Sequence, residues 1–158
     1  MKAILGVDPG VTGCMALLYE DNSIVLCEID VSMCDAITFL REKKDDIMGV
    51  AIERVHALPV TGRASAFKFG NAYGHIRGAC IALGLPIVAE PTPQAWQKFV
   101  GVVDKDKKAR KRKSREKARL LFPDIADALK HESDSHKSDA VLIAYYGRAH
   151  WMGNREAV

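Results

Sequence analysis

The sequence has little cysteine and no arrangement of it that suits a metal. Cys14, Cys27, Cys34 and Cys80 form no C-x-x-C pair. That excludes a zinc ribbon or a disulfide framework and leads us to expect reduced thiols in a cytoplasmic protein. Long hydrophobic runs are also missing: charge or glycine breaks each one short of the roughly 20 residues of a membrane span. The first apolar run begins at Ala3, so no secretory leader is expected. Length is limited too. A chain of 158 residues reads as one domain, 1–158, with a real hydrophobic core. A two-lobed phosphate-binding ATPase needs a second lobe and a second phosphate loop, which this length does not supply.

Net charge is only +3, yet it is unevenly placed. Between Asp104 and Arg119 there are ten Lys/Arg against three acids, a local +7 on a body that is otherwise −4. A basic segment on an acidic body suits a polyanionic partner, although a solvated linker has the same composition. The candidate phosphate contacts in and before this run are Lys98, Lys105, Lys107, Lys108, Arg110, Lys111, Arg112 and Lys113.

Residues 3–7 read as a buried strand that delivers Asp8 into Pro9-Gly10. Proline donates nothing to a ladder and glycine accepts a positive φ, so the strand ends there. Strands over 14–19 and 23–29, joined by a turn at Asp21-Asn22, complete a meander. Ser32 is expected to cap a helix over 33–44 with Ile37 and Leu40 inward. The apolar run 48–55 is a fourth strand and carries Glu53 near its end. A helix over 65–85 follows, with Phe67, Asn71/Ala72, His75/Ile76 and Ala79/Cys80 recurring at three and four. Three glycines, Gly70, Gly74 and Gly78, interrupt that helix. Each costs about 1 kcal/mol relative to alanine, so close packing on a second copy or on the protein's own sheet is expected.

A short strand at 87–90 leads to a helix capped by Thr92 and ended by Gly101. The basic run then reads as a loop over 103–109 and a helix over 111–122, stopped at Pro123. His136 and Asp139 lie three residues apart at the start of the last helix, hence on one face.

Alone, Asp8 reads as a turn residue, Glu53 as an edge-strand residue facing water, and Asp139 as a helix-start acid. Together they read differently. Meander strands followed by alternating strands and helices give an α/β fold, a five-stranded mixed sheet flanked by α-helices. In such a sheet Asp8 and Glu53 can share one end, where the last helix can bring His136 and Asp139. Carboxylates with one imidazole suit Mg²⁺ or Mn²⁺, and two such ions about 4 Å apart activate water against a phosphodiester.

Gly-Val-Asp-Pro-Gly at 6–10, Ala-Ile-Glu-Arg-Val at 51–55 and His-x-x-Asp-Ala at 136–140 resemble the RuvC-type Holliday junction resolvases of the RNase H-like superfamily. The version is closer to those carried by phages or prophages. The resemblance implies a homodimeric, Mg²⁺-dependent endonuclease that cuts opposed strands of a four-way DNA junction and leaves 5′-phosphates. It also implies that Asp8, Glu53 and Asp139 are metal ligands and that His136 fills a position where relatives carry Asp or His. The helix at 65–85 matches the family's dimer helix, which also lies near DNA. Three residues after the catalytic glutamate some relatives place an aromatic wedge. Here that position is His56, so either Phe67 or Phe69 takes over as the wedge or the strands are opened differently. Two rivals remain: a relative of the same fold that acts on RNA or on other branched DNA, and a junction binder without catalysis.

Overall fold

The expected mixed sheet is present, in a computed structural model that describes residues 1–10, 12–54 and 62–156. β1 (Ala3–Asp8), β2 (Cys14–Tyr19) and β3 (Ile24–Glu28) form the antiparallel meander. β4 (Ile47–Ile52) and β5 (Ile87–Ala89) add in parallel on the other side of β1. The strand order is β3-β2-β1-β4-β5. The central pair β1 and β4 is almost wholly buried, which is why both read as unbroken apolar runs.

Among the described residues five α-helices cover the sheet: α1 (Cys34–Lys43), α2 (Arg63–Ala82), α3 (Pro93–Val100), α4 (Lys107–Leu121) and α5 (Ser135–Glu156). Strand alternation divides the core into two layers. Leu5, Val7, Met15 and Leu17 meet Leu40 of α1 and Ala72, Ile76 and Cys80 of α2. Ala16, Leu18 and Ala51 meet Trp96 of α3, Ala118 of α4 and Ala140–Ala144 of α5. α5 is pressed hardest onto the sheet. A Cβ on Gly6 would overlap the backbone of Ala140 and Ala144, and one on Gly147 would lie 2.6 Å from Ala51 Cβ. This contact carries the first turns of α5 over the ends of β1 and β4. Among the described residues no helix is long and apolar enough to cross a membrane, and all four cysteines are unpaired.

Several boundaries differ from expectation. The residue at the cap of α1 is Met33, at φ 62 and with no side-chain cap bond, while Ser32, one residue earlier, accepts from the Cys34 N–H at 3.2 Å. Ser32 also belongs to the turn held by Asp30, whose Oδ2 accepts from the Ser32 N–H at 2.9 Å. Ala36 and Leu40 form the inner face of α1, with Ile37 turned partly outward. β4 stops at Ile52, so Glu53 lies just beyond the ladder. Since β4 lies between β1 and β5, Glu53 is not an edge residue. α4 begins at Lys107, four residues earlier than the spacing suggested, because Asp106 caps it by accepting from Ala109 N–H at 2.7 Å. Thr92 and Gly101, by contrast, bound α3 as expected, with Gly101 at φ 76.

α2 also departs from expectation. Phe67 is 76% exposed and takes no part in the core. Among the described residues, Gly70, Gly74 and Gly78 have no neighbour within 4 Å of where a Cβ would stand. Close packing against the protein's own sheet is therefore not the reason for these glycines.

Candidate active site

The ends of β1 and β4 lie side by side, with the Glu53 N–H donating to Val7 O at 3.0 Å. Asp8 and Glu53 accordingly share one sheet end. Asp139, in the second turn of α5, comes down beside them. The three acids line one cavity of about 220 Å³ together with Pro93, Trp96, Gln97, Arg110, Lys111 and Ser114. α3 supplies the tryptophan and α4 the two cations and the hydroxyl.

Burial dominates the electrostatics. It pushes the Asp8 pKa up to about 6, against a lowering by the Gly10 N–H, which donates to Oδ1 at 3.2 Å. Burial, then the charge of Asp8, pushes Asp139 up to about 7, while Ser114, Lys111 and Arg110 pull it back. Glu53 is pushed furthest, to about 8, by burial and then by the charges of Asp8 and Asp139, with a weak opposing interaction from the Trp96 indole. Three acids crowded at the end of a buried sheet resist ionising together. At neutral pH they do not all ionise unless something positive joins them.

The donors test whether that something is a metal ion. Asp139 Oδ1 is buried and has no hydrogen-bond partner among the described residues, and the three acids offer hard oxygen throughout, which suits Mg²⁺ or Mn²⁺. Among the described residues, no three His, Cys, Asp or Glu side chains converge closely enough to hold an ion as they stand. The chemistry fits; the final convergence is not built into this arrangement.

His136 is placed differently from the acids. It lines a neighbouring cavity of about 520 Å³ with Thr12, Gly13, Glu28 and Ser133, and its Nε2 lies 3.8 Å from Glu28 Oε1. It is still near enough for its charge to act on Asp8.

The basic residues divide into groups. Arg110 and Lys111 turn into the carboxylate cavity. Lys113 is tied to Asp104 at 2.8 Å, Arg112 to Glu116 at 3.7 Å and Lys108 to Glu132 at 3.7 Å. Among the described residues Lys98, Lys105 and Lys107 make no ion pair, and all three are exposed. Phe67 stands out from α2 and Phe69 is half-buried. His56 lies outside the described residues.

The sequence reading did not identify Trp96, Gln97 and Ser114 as cavity residues. A signal for Ser114 was present. Within 107–119 only Ala109, Ser114 and Ala118 are uncharged, and Ser114 and Ala118, four apart, are both fully buried. Small residues at helical spacing mark the inward stripe, and Arg110 and Lys111 lie one turn before Ser114 along it.

No family model and no curated protein matches the sequence. Solved structures do match in fold. The chain is similar to Thermus thermophilus RuvC in complex with a Holliday junction substrate, with a TM-score of 0.61 and 17% identity, over 95% of this chain and 94% of the other. It is similar to T. thermophilus RuvC in a second structure, at 0.61 and 18%, over 94% and 96%. It is also similar to the yeast mitochondrial Holliday junction resolvase, at 0.56 and 13%, over 95% and 79%. At these identities the likeness establishes the fold, a five-stranded mixed sheet with flanking helices.

Proposed function

We propose that this chain is a structure-selective endonuclease of the RuvC type, hydrolysing phosphodiester bonds in four-way DNA junctions. The observation that carries this reading is the shared cavity. Asp8, Glu53 and Asp139 meet at the end of the central strands, with Arg110 and Lys111 of a basic helix facing them. An acidic cavity lined by two cations suits a reaction in which an anionic phosphate must approach carboxylates.

Asp8, Glu53 and Asp139 would hold the divalent ions, with His136 beside them. When bound, two Mg²⁺ or Mn²⁺ ions supply an activated water and stabilisation of the leaving oxygen. The protein's own groups do the rest. Arg110 and Lys111 attract and orient the scissile phosphate, and Trp96, 1% exposed, closes the floor of the cavity to solvent. Lys98, Lys105 and Lys107 are free to meet flanking phosphates.

A homodimer through α2 belongs to the same reading. Phe67, Gly70, Gly74 and Gly78 fall within about 80° of arc on the exposed face of the helix. One large knob and a shallow glycine groove on one face form a surface that can complement its own copy across a two-fold axis. Paired active sites would then cut two opposed strands.

The deciding experiment incubates the protein with a labelled four-way junction, a matched duplex and a replication fork, each with Mg²⁺ or EDTA. Paired nicks with 5′-phosphate ends in the junction, dependent on Mg²⁺ and absent in Asp8→Asn, are expected. Equal cutting of the duplex, or normal cutting by Asp8→Asn, overturns the reading. Preference for structured RNA in the same assay would favour an RNA-processing relative.

A further inference from the structure

The three acids occupy one end of the sheet, and a second cavity, of about 600 Å³, lies at the other. Met48, near the start of β4, lines it, as does Glu20, which follows Tyr19, the ladder partner of Ala3 where β1 begins. The C-terminal part of α5 supplies the rest of the wall. Trp151 is twelve residues beyond Asp139, about 18 Å along the helix axis.

The walls are chiefly apolar, with the rings of Tyr145 and Trp151 and the thioethers of Met48 and Met152. Rings, flexible sulfur side chains and a few polar groups around several hundred Å³ are the usual make-up of a small-molecule site. One cation enters this wall. Arg148 Nη1 donates to Asn22 Oδ1 at 2.9 Å, and the guanidinium carbon lies 5.6 Å from the centre of the Tyr145 ring. Both partners are neutral. Among the described residues Arg148 forms no ion pair, and Glu20 lines the same cavity without reaching it. Burial disfavours the charge of Arg148, yet a guanidinium stays protonated. A partly desolvated cation with neutral partners is stabilised by an anion that joins it. A bare anion would meet Glu20 and leave the apolar walls wet, whereas an anion with a ring would cover them.

We propose that this cavity binds a small organic anion with a planar ring, the anionic group on Arg148 and the ring against Trp151 and the methionines. Glu20 accepts from a hydroxyl or amino donor of the ligand. Nucleoside monophosphates and aromatic carboxylates share this chemistry. The site has no residue in common with the carboxylate cavity, so it stands whether or not the chain cuts junctions.

The chain has two tryptophans, Trp96 in the carboxylate cavity and Trp151 in this one, so one titration reads both. The ¹⁵N-labelled full chain is titrated separately with adenosine monophosphate, 1-naphthoate and inorganic phosphate, without divalent metal, and Trp151→Phe assigns the two indole signals. At least one ring-bearing anion should shift Trp151 and leave Trp96 in place, while phosphate shifts neither. A response to the nucleotide alone or to the naphthoate alone supports the site and identifies its ligand class. Arg148→Met, which keeps an apolar stem, should weaken binding about 10- to 100-fold, and Arg148→Lys should restore part of it. Ala149→Leu narrows the cavity with Arg148 intact and should also weaken binding, so the test survives if Arg148→Met does not fold. The proposal is overturned if neither ring-bearing anion shifts Trp151 at about 10 mM, a concentration that detects millimolar affinity. It is overturned equally if phosphate shifts Trp151 as much, if Trp96 moves instead, or if Arg148→Met binds like wild type.

Discussion

α5 and α2 both contain glycine, for opposite physical reasons. In α5, Gly147 faces inward, and its missing side chain lets the helix lie on Ala51 and Ile4. In α2, Gly70, Gly74 and Gly78 face outward onto nothing among the described residues. The first arrangement gains packing inside one molecule and sets the height of Asp139 above the sheet. The second weakens the helix by about 1 kcal/mol per glycine with no intramolecular return. The described residues supply no compensation, and a second copy is the proposed partner.

The sharpest challenge to this contrast is Gly147→Val. Overpacking against Ala51 should destabilise the fold by about 3 kcal/mol and lower Tm by roughly 6–12 °C in a circular-dichroism melt. Junction cleavage should fall with it, because α5 lifts Asp139 away. An unchanged Tm would mean that the inward glycine is not needed for contact.

Next in size is an electrostatic effect under the same helix. The three acids have folded pKa values of about 6, 7 and 8, all above their ordinary values. The native state therefore binds more protons than the unfolded chain, and metal-free stability should fall as pH rises from about 4 to about 8, then level off. Asp8→Asn removes one buried charge. It should abolish cleavage yet raise the metal-free Tm at pH 8 by several degrees, corresponding to about 1–3 kcal/mol. A lower Tm for Asp8→Asn at pH 8 would refute the strain at this site.

The outward glycines give a third, smaller effect with a split sign. Replacing Gly70, Gly74 and Gly78 together by alanine should raise the stability of the monomer by up to about 1 kcal/mol per site. The same variant should weaken self-association in sedimentation equilibrium. Tighter or unchanged association would leave the open ridge without its proposed partner.

Smallest is the difference between two lysines on α4. Lys107 is exposed and makes no ion pair among the described residues, whereas Lys113 is bound to Asp104. Lys107→Gln should flatten the salt dependence of junction binding by about 0.9 in log–log slope, the release expected for one phosphate contact. Lys113→Gln should change it less. Equal slopes would mean that the Asp104 pairing does not survive on DNA.

Much of this was legible in the residues, though unevenly. Asp8 could be identified because Pro9-Gly10 ends its strand at once, and Glu53 because an acid closes an otherwise apolar run. The start of α4 was not legible. A run of like charges has no hydrophobic period, so only the Asp106 cap marks where the helix begins. The outward facing of Phe67 was not legible either, because helical spacing alone does not say which side of the helix the sheet covers.

Strand, turn and helix depend on neighbours a few residues apart, so the sequence by itself determined the element order, the three acids and the uneven basic charge. Burial, register and facing depend on residues far apart in the chain. Only the tertiary structure decided that Arg110, Lys111, Ser114 and Trp96 close the carboxylate cavity, that His136 faces Glu28 from the next cavity, and that the glycines of α2 look outward. Asp8 and Glu28 are twenty residues apart in the sequence. They stand abreast because β2 lies between them, and that pairing forms only when the sheet does.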